Sequence, residues 1–213
     1  MQISEPIATK IAEYLLEIKA IKLQPNNPFT WASGLKSPIY SDNRLSLSHP
    51  QIRTFIKQAL AQEISTQYPT AQAIIGVATA GIAPGALVAD EMNLPFGYVR
   101  SEAKKHGMGK QVEGDISPEQ AVVVIEDLVS TGKSSLQAID ALRAHGSTVL
   151  GLMCIFTYGF ESAQANFDAA NCKYVSLCNY DTLIEVAVAK GYVSEGDREV
   201  LAAWRRSPET WGV

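Results

Sequence analysis

Apolar positions along this chain follow a helical period at both ends and a strand–helix alternation between them. Ile7, Ile11, Leu15 and Ile18 recur at helical spacing behind Ser4-Glu5-Pro6, which predicts an amphipathic N-terminal helix with proline in its first turn. Gln24-Pro25-Asn26-Asn27-Pro28 is expected to end it. Aromatic-bearing flanks around Ser33-Gly34 predict a hairpin between Phe29 and Tyr40, and Ser48-His49-Pro50 opens a helix whose apolar face is Ile52, Phe55, Ile56, Ala59 and Leu60. From residue 73 the pattern changes. Short β-branched runs at Ala73–Val77, Phe96–Val99, Ala121–Ile125 and Val149–Phe156 alternate with helical patterns near 82–92, 133–145 and 161–170, with another strand near Tyr174–Leu177. Helical patterns near 180–190 and 195–206 finish the chain. Such alternation predicts an α/β fold with a parallel sheet flanked by helices. The expected organisation is one domain: an N-terminal helix–hairpin hood region over 1–65, an α/β core over 73–180 and C-terminal helices over 181–213.

The segment VVVIEDLVSTGKS, residues 122–134, carries the most chemistry. Val122 to Ile125 are too few for a core helix and read as a buried parallel strand. Glu126 and Asp127 are then expected at its carboxyl end, where open α/β sheets bind ligands. Ser130-Thr131-Gly132-Lys133-Ser134 runs into a helix marked by Leu136, Ile139 and Leu142. Hydroxyls and backbone N–H groups at a helix start suit a phosphate. Gly132-Lys133-Ser134 copies the end of a nucleotide-binding P-loop, but Asp127 occupies the place of that motif's first glycine, where a carboxylate would repel a wrapped triphosphate. Two carboxylates beside a monophosphate cradle suit a sugar phosphate, whose hydroxyls they can accept from. A plain strand–turn–helix with a solvated acidic turn remains the alternative.

Composition narrows the classes. The chain has 213 residues, 46% hydrophobic and 19% charged, with a net charge of −4 and a pI near 5.4. These are globular values that argue against nucleic-acid binding through a broad basic face. No apolar run approaches the roughly 20 residues of a membrane helix, and MQISEPIATK lacks a signal-peptide layout. A cytoplasmic location is expected. Cys154, Cys172 and Cys178 are odd in number and lack zinc-type pairing, so neither a disulfide framework nor a structural zinc site is expected.

Between Val99 and Ala121 lies a long stretch without a clear apolar period. It concentrates Arg100, Lys104, Lys105, His106 and Lys110 among Gly107, Gly109 and Gly114, in an otherwise acidic chain. A basic, glycine-hinged segment fits a long flexible lid over a polyanion; a solvated surface loop is the alternative. His106, between Lys105 and Gly107 on a polar loop, reads as an active-site group and not a core one.

The 122–134 segment resembles, at all thirteen positions, the 5-phosphoribosyl 1-pyrophosphate (PRPP) motif of type I phosphoribosyltransferases. Three further segments narrow the resemblance to the orotate phosphoribosyltransferase family: FTWASGLKSPIYSDNR (29–44) resembles its hood, GVATAGI (76–82) its pyrophosphate loop, and Arg100-x-x-x-Lys104-x-His106-Gly107 its catalytic loop. The chain departs from some members at Ala32, Ala80 and Ser101, where lysines stand, and near Tyr158, where an arginine stands.

The resemblance implies transfer of the 5-phosphoribosyl group from PRPP to orotate, giving orotidine 5′-phosphate and pyrophosphate in pyrimidine biosynthesis. PRPP would be bound by Arg100, Lys104, His106, Glu126, Asp127, Leu128, Val129, Ser130, Thr131, Gly132, Lys133 and Ser134, with Arg100, Lys104, His106 and Asp127 catalytic. Ser130 would also touch orotate. Arg44 and Lys36 are candidates for its carboxylate, each equally readable as a surface charge. Mg²⁺ would be held mainly through PRPP and not directly by side chains. A homodimer is implied, with the loop acting in the partner's site. A PRPP-binding regulator and a purine-type phosphoribosyltransferase are the alternatives.

Overall fold

A computed structural model describes residues 3–31, 34–100 and 111–212. The chain opens with α1 (Glu5–Glu17), whose first turn carries Glu5 and Pro6. Four short strands follow: β1 (Ile21–Leu23), β2 (Phe29–Thr30), β3 (Lys36–Ser37) and β4 (Ile39–Ser41). The expected hairpin is β2–β3, with Phe29 opposite Ser37 and Thr30 opposite Lys36; Ser33 of its turn lies outside the described residues. One more pairing was not foreseen. β1 runs antiparallel to β4, Ile21 opposite Ser41 and Leu23 opposite Ile39, so the Gln24–Pro28 turn ends a strand while the helix has already stopped at Glu17. Three residues are too few to show a period of two, which is why the pattern alone did not reveal β1.

A 3₁₀ segment (Asn43–Ser48) leads into α2 (Pro50–Gln67). The core follows as β5 (Ala73–Val77), α3 (Ile82–Met92), β6 (Phe96–Val99), β7 (Val112–Glu113), β8 (Ala121–Val129), α4 (Lys133–His145), β9 (Thr148–Thr157), α5 (Glu161–Ala169), β10 (Tyr174–Asn179), α6 (Tyr180–Ala189), a 3₁₀ turn at Glu195–Asp197 and α7 (Arg198–Arg206). These strands form one sheet in the order β10-β9-β8-β5-β6-β7. Every neighbour is parallel except the edge strand β7, which runs antiparallel to β6. β7 and the buried Ile116 order the second half of the stretch read as unpatterned. Lys104 and His106 lie outside the described residues.

Alternation along the strands builds two cores. Ile74, Val123, Ile125, Met153 and Ile155 face one side, with buried positions of α1, α2, α3, α6 and α7. Ile75, Val77, Val122, Val124, Leu152 and Cys154 face the other, with α4 and α5. Val122 to Ile125 are wholly buried, each worth on the order of 2 kcal/mol relative to exposure. α1 packs on α6 and β10, in the same layer as the C-terminal helices. No helix among the described residues is long and apolar enough to cross a membrane.

The connections set the position of the cleft. From β5 the chain moves through α3 to β6, while from β8 it moves through α4 to β9 on the opposite side. β5 and β8 are neighbours whose following helices diverge, the arrangement that opens a crevice at the strands' carboxyl ends. β8 also outruns β5. Its register with β5 ends at Gly76–Ile125, whereas its register with β9 continues to Val129–Thr157. Glu126 and Asp127 therefore lie inside the strand and not at its end as expected, because β9 continues beside them after β5 has turned away.

Candidate active site

Glu126 is only 5% exposed. One carboxylate oxygen, Oε1, accepts the backbone N–H of Asp127 at 3.1 Å, and Oε2 accepts the Ser135 hydroxyl at 3.3 Å. Burial, reinforced by the negative charge of Asp127, pushes the Glu126 carboxyl up to about 9. Burial also raises Asp127, against hydrogen bonds and the positive charge of Arg44 that favour its ionised form. Both carboxyls are thus pushed toward the protonated form. Cys154 lies opposite Glu126 in the β8–β9 register. Its thiol is raised by burial and by both carboxyls, which makes it an inert filler.

Beyond the carboxyls the strand runs two more residues, to Val129, before the loop begins. Leu128 and Val129 turn their side chains into the two cores, so toward the cleft they can offer only backbone groups. Ser130 is half-buried, and Thr131, Lys133 and Ser134 are exposed. Gly132 sits at φ +80°, and a Cβ there would come within 2.6 Å of the Phe167 ring. Only glycine meets both conditions without strain. α4 starts directly after it, directing the N–H groups of its first turn to the same end of the sheet.

Across the crevice, residues 76–82 fold back on themselves. Gly81 N–H donates to Val77 O at 2.9 Å and Ala78 N–H to Val99 O at 2.9 Å; the Ala78–Thr79 peptide is cis. A Cβ on Gly76 would lie 2.7 Å from Gly81 O, so this tight return requires glycine. Arg100 follows β6 at the same edge. Its N–H donates to Gln111 O at 3.0 Å, the Gln111 amide returns a bond to Arg100 O at 2.9 Å, and the guanidinium lies 3.7 Å from the Glu113 carboxylate.

The hood closes one side. Arg44, Ala80, Asn43 and Asp127 line one narrow crevice, with Arg44 bonded through Nε to Asp42 at 2.6 Å. Lys36 lines neither that crevice nor the larger cleft beside it; its Nζ bonds the Thr30 hydroxyl at 2.8 Å across the hairpin. Of the two candidates for a ligand carboxylate, Arg44 lines the crevice beside Asp127, and Lys36 lies on the hairpin bonded to Thr30.

Several participants had not been given a site role from sequence. Asn43 Nδ2 donates to Asp127 O at 2.8 Å. Tyr158, 3% exposed, stacks on Phe160 at 5.3 Å and meets Trp31 and Trp204 at 5.9 and 5.4 Å. Its hydroxyl is raised by burial and then by Asp127 and Tyr40. Beside this aromatic wall an open cleft of about 1090 Å³ runs from Ser130 and Thr131 past Trp31, Leu35 and Phe160 to Tyr180. Aromatic residues at 31, 158, 160 and 204 were legible singly; their convergence needed the fold.

The chain can be set beside known proteins. The family described as phosphoribosyl transferase domain matches residues 46–191. The orotate phosphoribosyltransferase of Porphyromonas gingivalis is 57% identical over 203 residues, 95% of this chain and 97% of the relative. That of Listeria innocua is 52% identical over 206 residues, 97% of this chain and 99% of the relative. Among solved structures, orotate phosphoribosyltransferase from Aeropyrum pernix superimposes with a TM-score of 0.74 at 32% identity, covering 86% of this chain and 99% of that one.

Proposed function

We infer how the site works from one premise: the chain belongs to the phosphoribosyl transferase family, and within it to the orotate phosphoribosyltransferases. The reaction joins the ring nitrogen of orotate to the anomeric carbon of PRPP as the bond from that carbon to pyrophosphate breaks. No covalent nucleophile is needed. Glycosyl transfer of this kind passes through a transition state with oxocarbenium character, so the protein's task is to align two reactants and stabilise charge at both ends of the breaking bond.

In our reading Glu126 and Asp127 hold the ribose hydroxyls, and Asp127 places negative charge near the developing cation. Backbone N–H groups and hydroxyls from Ser130 to Ser134, with the Gly132 turn, hold the 5′-phosphate. The 76–82 return and Arg100, with Lys104 and His106, meet the pyrophosphate. Ser130, Arg44 and the Trp31–Tyr158 wall enclose orotate. The oxygen-only donor set of the carboxyl pair suits a hard cation held through PRPP. Mg²⁺, when bound through PRPP, supplies charge neutralisation of the diphosphate. The loop carrying Lys104 and His106 is proposed to serve the partner's site in a homodimer. Three free, buried thiols suit the reducing cytoplasm this reading expects.

One observation supports the reading most: a buried Glu126 beside a half-buried Asp127 and a glycine-turned helix start lie at the crevice between β5 and β8. The test is to incubate the purified protein with PRPP, Mg²⁺ and, separately, orotate, uracil, adenine and hypoxanthine. Orotate should be converted only when PRPP and the metal are both present; turnover of a purine without orotate turnover would overturn the substrate assignment, and absence of any turnover would favour a PRPP-binding regulator.

A further inference from the structure

The loop between β8 and α4 is held from behind by two elements that make no use of its cleft-facing side. Val129 O accepts from the Thr157 hydroxyl at 3.0 Å and from Tyr158 N–H at 3.3 Å, while the Thr157 hydroxyl itself accepts Gly159 N–H at 3.1 Å. Two residues on, Thr131 O accepts the side-chain amide of Asn166, on α5, at 3.0 Å. These peptides are trans, so each carbonyl and the N–H after it point in opposite directions. Fixing Val129 O toward β9 turns Ser130 N–H toward the space that β5 vacates. Fixing Thr131 O toward α5 turns Gly132 N–H away from α5.

Asn166 has no packing duty to explain it. It is exposed, whereas the buried residues of α5 are Ala163 and Phe167. Phe167, next in sequence, packs over Gly132, so two adjacent α5 residues hold two adjacent loop positions. We propose that Asn166 is a positioning residue for phosphate binding, locking the Thr131–Gly132 peptide with its N–H aimed at the 5′-phosphate of the substrate. The proposal rests on the reading of residues 130–134 as the phosphate cradle.

Ribose 5-phosphate and pyrophosphate, as inhibitors against PRPP, separate the two ends of the substrate. Asn166→Ala should raise the KM for PRPP and the Ki for ribose 5-phosphate together by about five- to tenfold, the scale of one lost neutral hydrogen bond. The Ki for pyrophosphate, kcat and Tm should stay close to wild type. Asn166→Asp, which cannot donate to Thr131 O and adds a negative charge, should be worse than the alanine variant, and Asn166→Gln should recover part of the loss. An unchanged Ki for ribose 5-phosphate in Asn166→Ala would overturn the inference and leave the cradle standing, as would equal rises in both inhibition constants. Failure of ribose 5-phosphate to compete with PRPP even in the wild type would overturn the cradle itself, and the inference with it.

Discussion

The side-chain amide of Asn43 donates to the backbone carbonyl of Asp127 at 2.8 Å, 84 positions apart in sequence. β8 loses its β5 partner after Ile125, and this bond supplies an acceptor there with a donor from the hood. Asn43 is 2% exposed and also accepts the Ser41 hydroxyl at 3.3 Å. Asn43→Ala should cost about 1–3 kcal/mol in denaturant unfolding, the penalty for leaving a buried partner unsatisfied, and should lower kcat by shifting Asp127. Wild-type turnover in a measurably destabilised variant would confine Asn43 to a folding role.

The pH dependence of stability should carry the signature of Glu126. Its carboxyl ionises near 4.5 in its ordinary state but is held up to about 9 by burial and Asp127. Between those values the folded protein binds a proton that the unfolded chain has released, so the contribution of this group to stability falls as pH rises through that window and levels off above it. Glu126→Gln should remove the fall. The variant should match wild type near pH 4 and exceed it by a growing margin as pH rises to 8, while losing activity. Parallel stability–pH curves for the two proteins would contradict the assignment.

Gly132 tests the loop's geometry separately from its charge. Gly132→Ala forces a Cβ into a positive-φ position and against Phe167, and should cost roughly 1–3 kcal/mol while raising the KM for PRPP. In a double-mutant cycle with Phe167→Leu the ring clash should be relieved and the φ penalty kept, giving a coupling energy of about 1 kcal/mol. Strict additivity would mean the ring does not press on the loop.

The proposed exchange of loops across a homodimer predicts rescue. Lys104→Ala and Asp127→Asn chains, each inactive alone, should regain activity when mixed under conditions that exchange subunits, because one site of each hybrid then receives an unaltered loop and an unaltered carboxyl pair. Confirmed exchange without recovered activity would place the loop in its own subunit's site or discharge Lys104 from its role.

Much of this was legible in the sequence because its signals are local. The helices at 82–92 and 133–145 and the buried strands show their periods in a dozen residues or fewer, and they stand where the pattern put them. The carboxyl pair and the Gly132 turn were visible as residue types, though not the extension of β8 through Glu126 to Val129, which depends on β9 lying alongside. What the chain could not disclose is pairing across distance. β1 is too short to announce itself, and Asn43, Tyr158 and Asn166 acquire their places only when the hood, the end of β9 and α5 converge on the loop. Lys36 and Arg44 looked alike as hood cations, and only the fold puts Arg44 beside Asp127.

On the proposed mechanism the carboxyl pair in β8 serves the ribose in transfer and not the fold. Asp127→Asn keeps the shape and removes the charge, so the decisive measurement is its turnover of orotate with PRPP and Mg²⁺, taken beside its Tm. The proposed mechanism predicts kcat/KM lower by about a hundredfold or more, the scale of one lost charge interaction made in the transition state, with Tm close to wild type because Asp127 is half-buried and the shape is kept. Turnover comparable to wild type would contradict it.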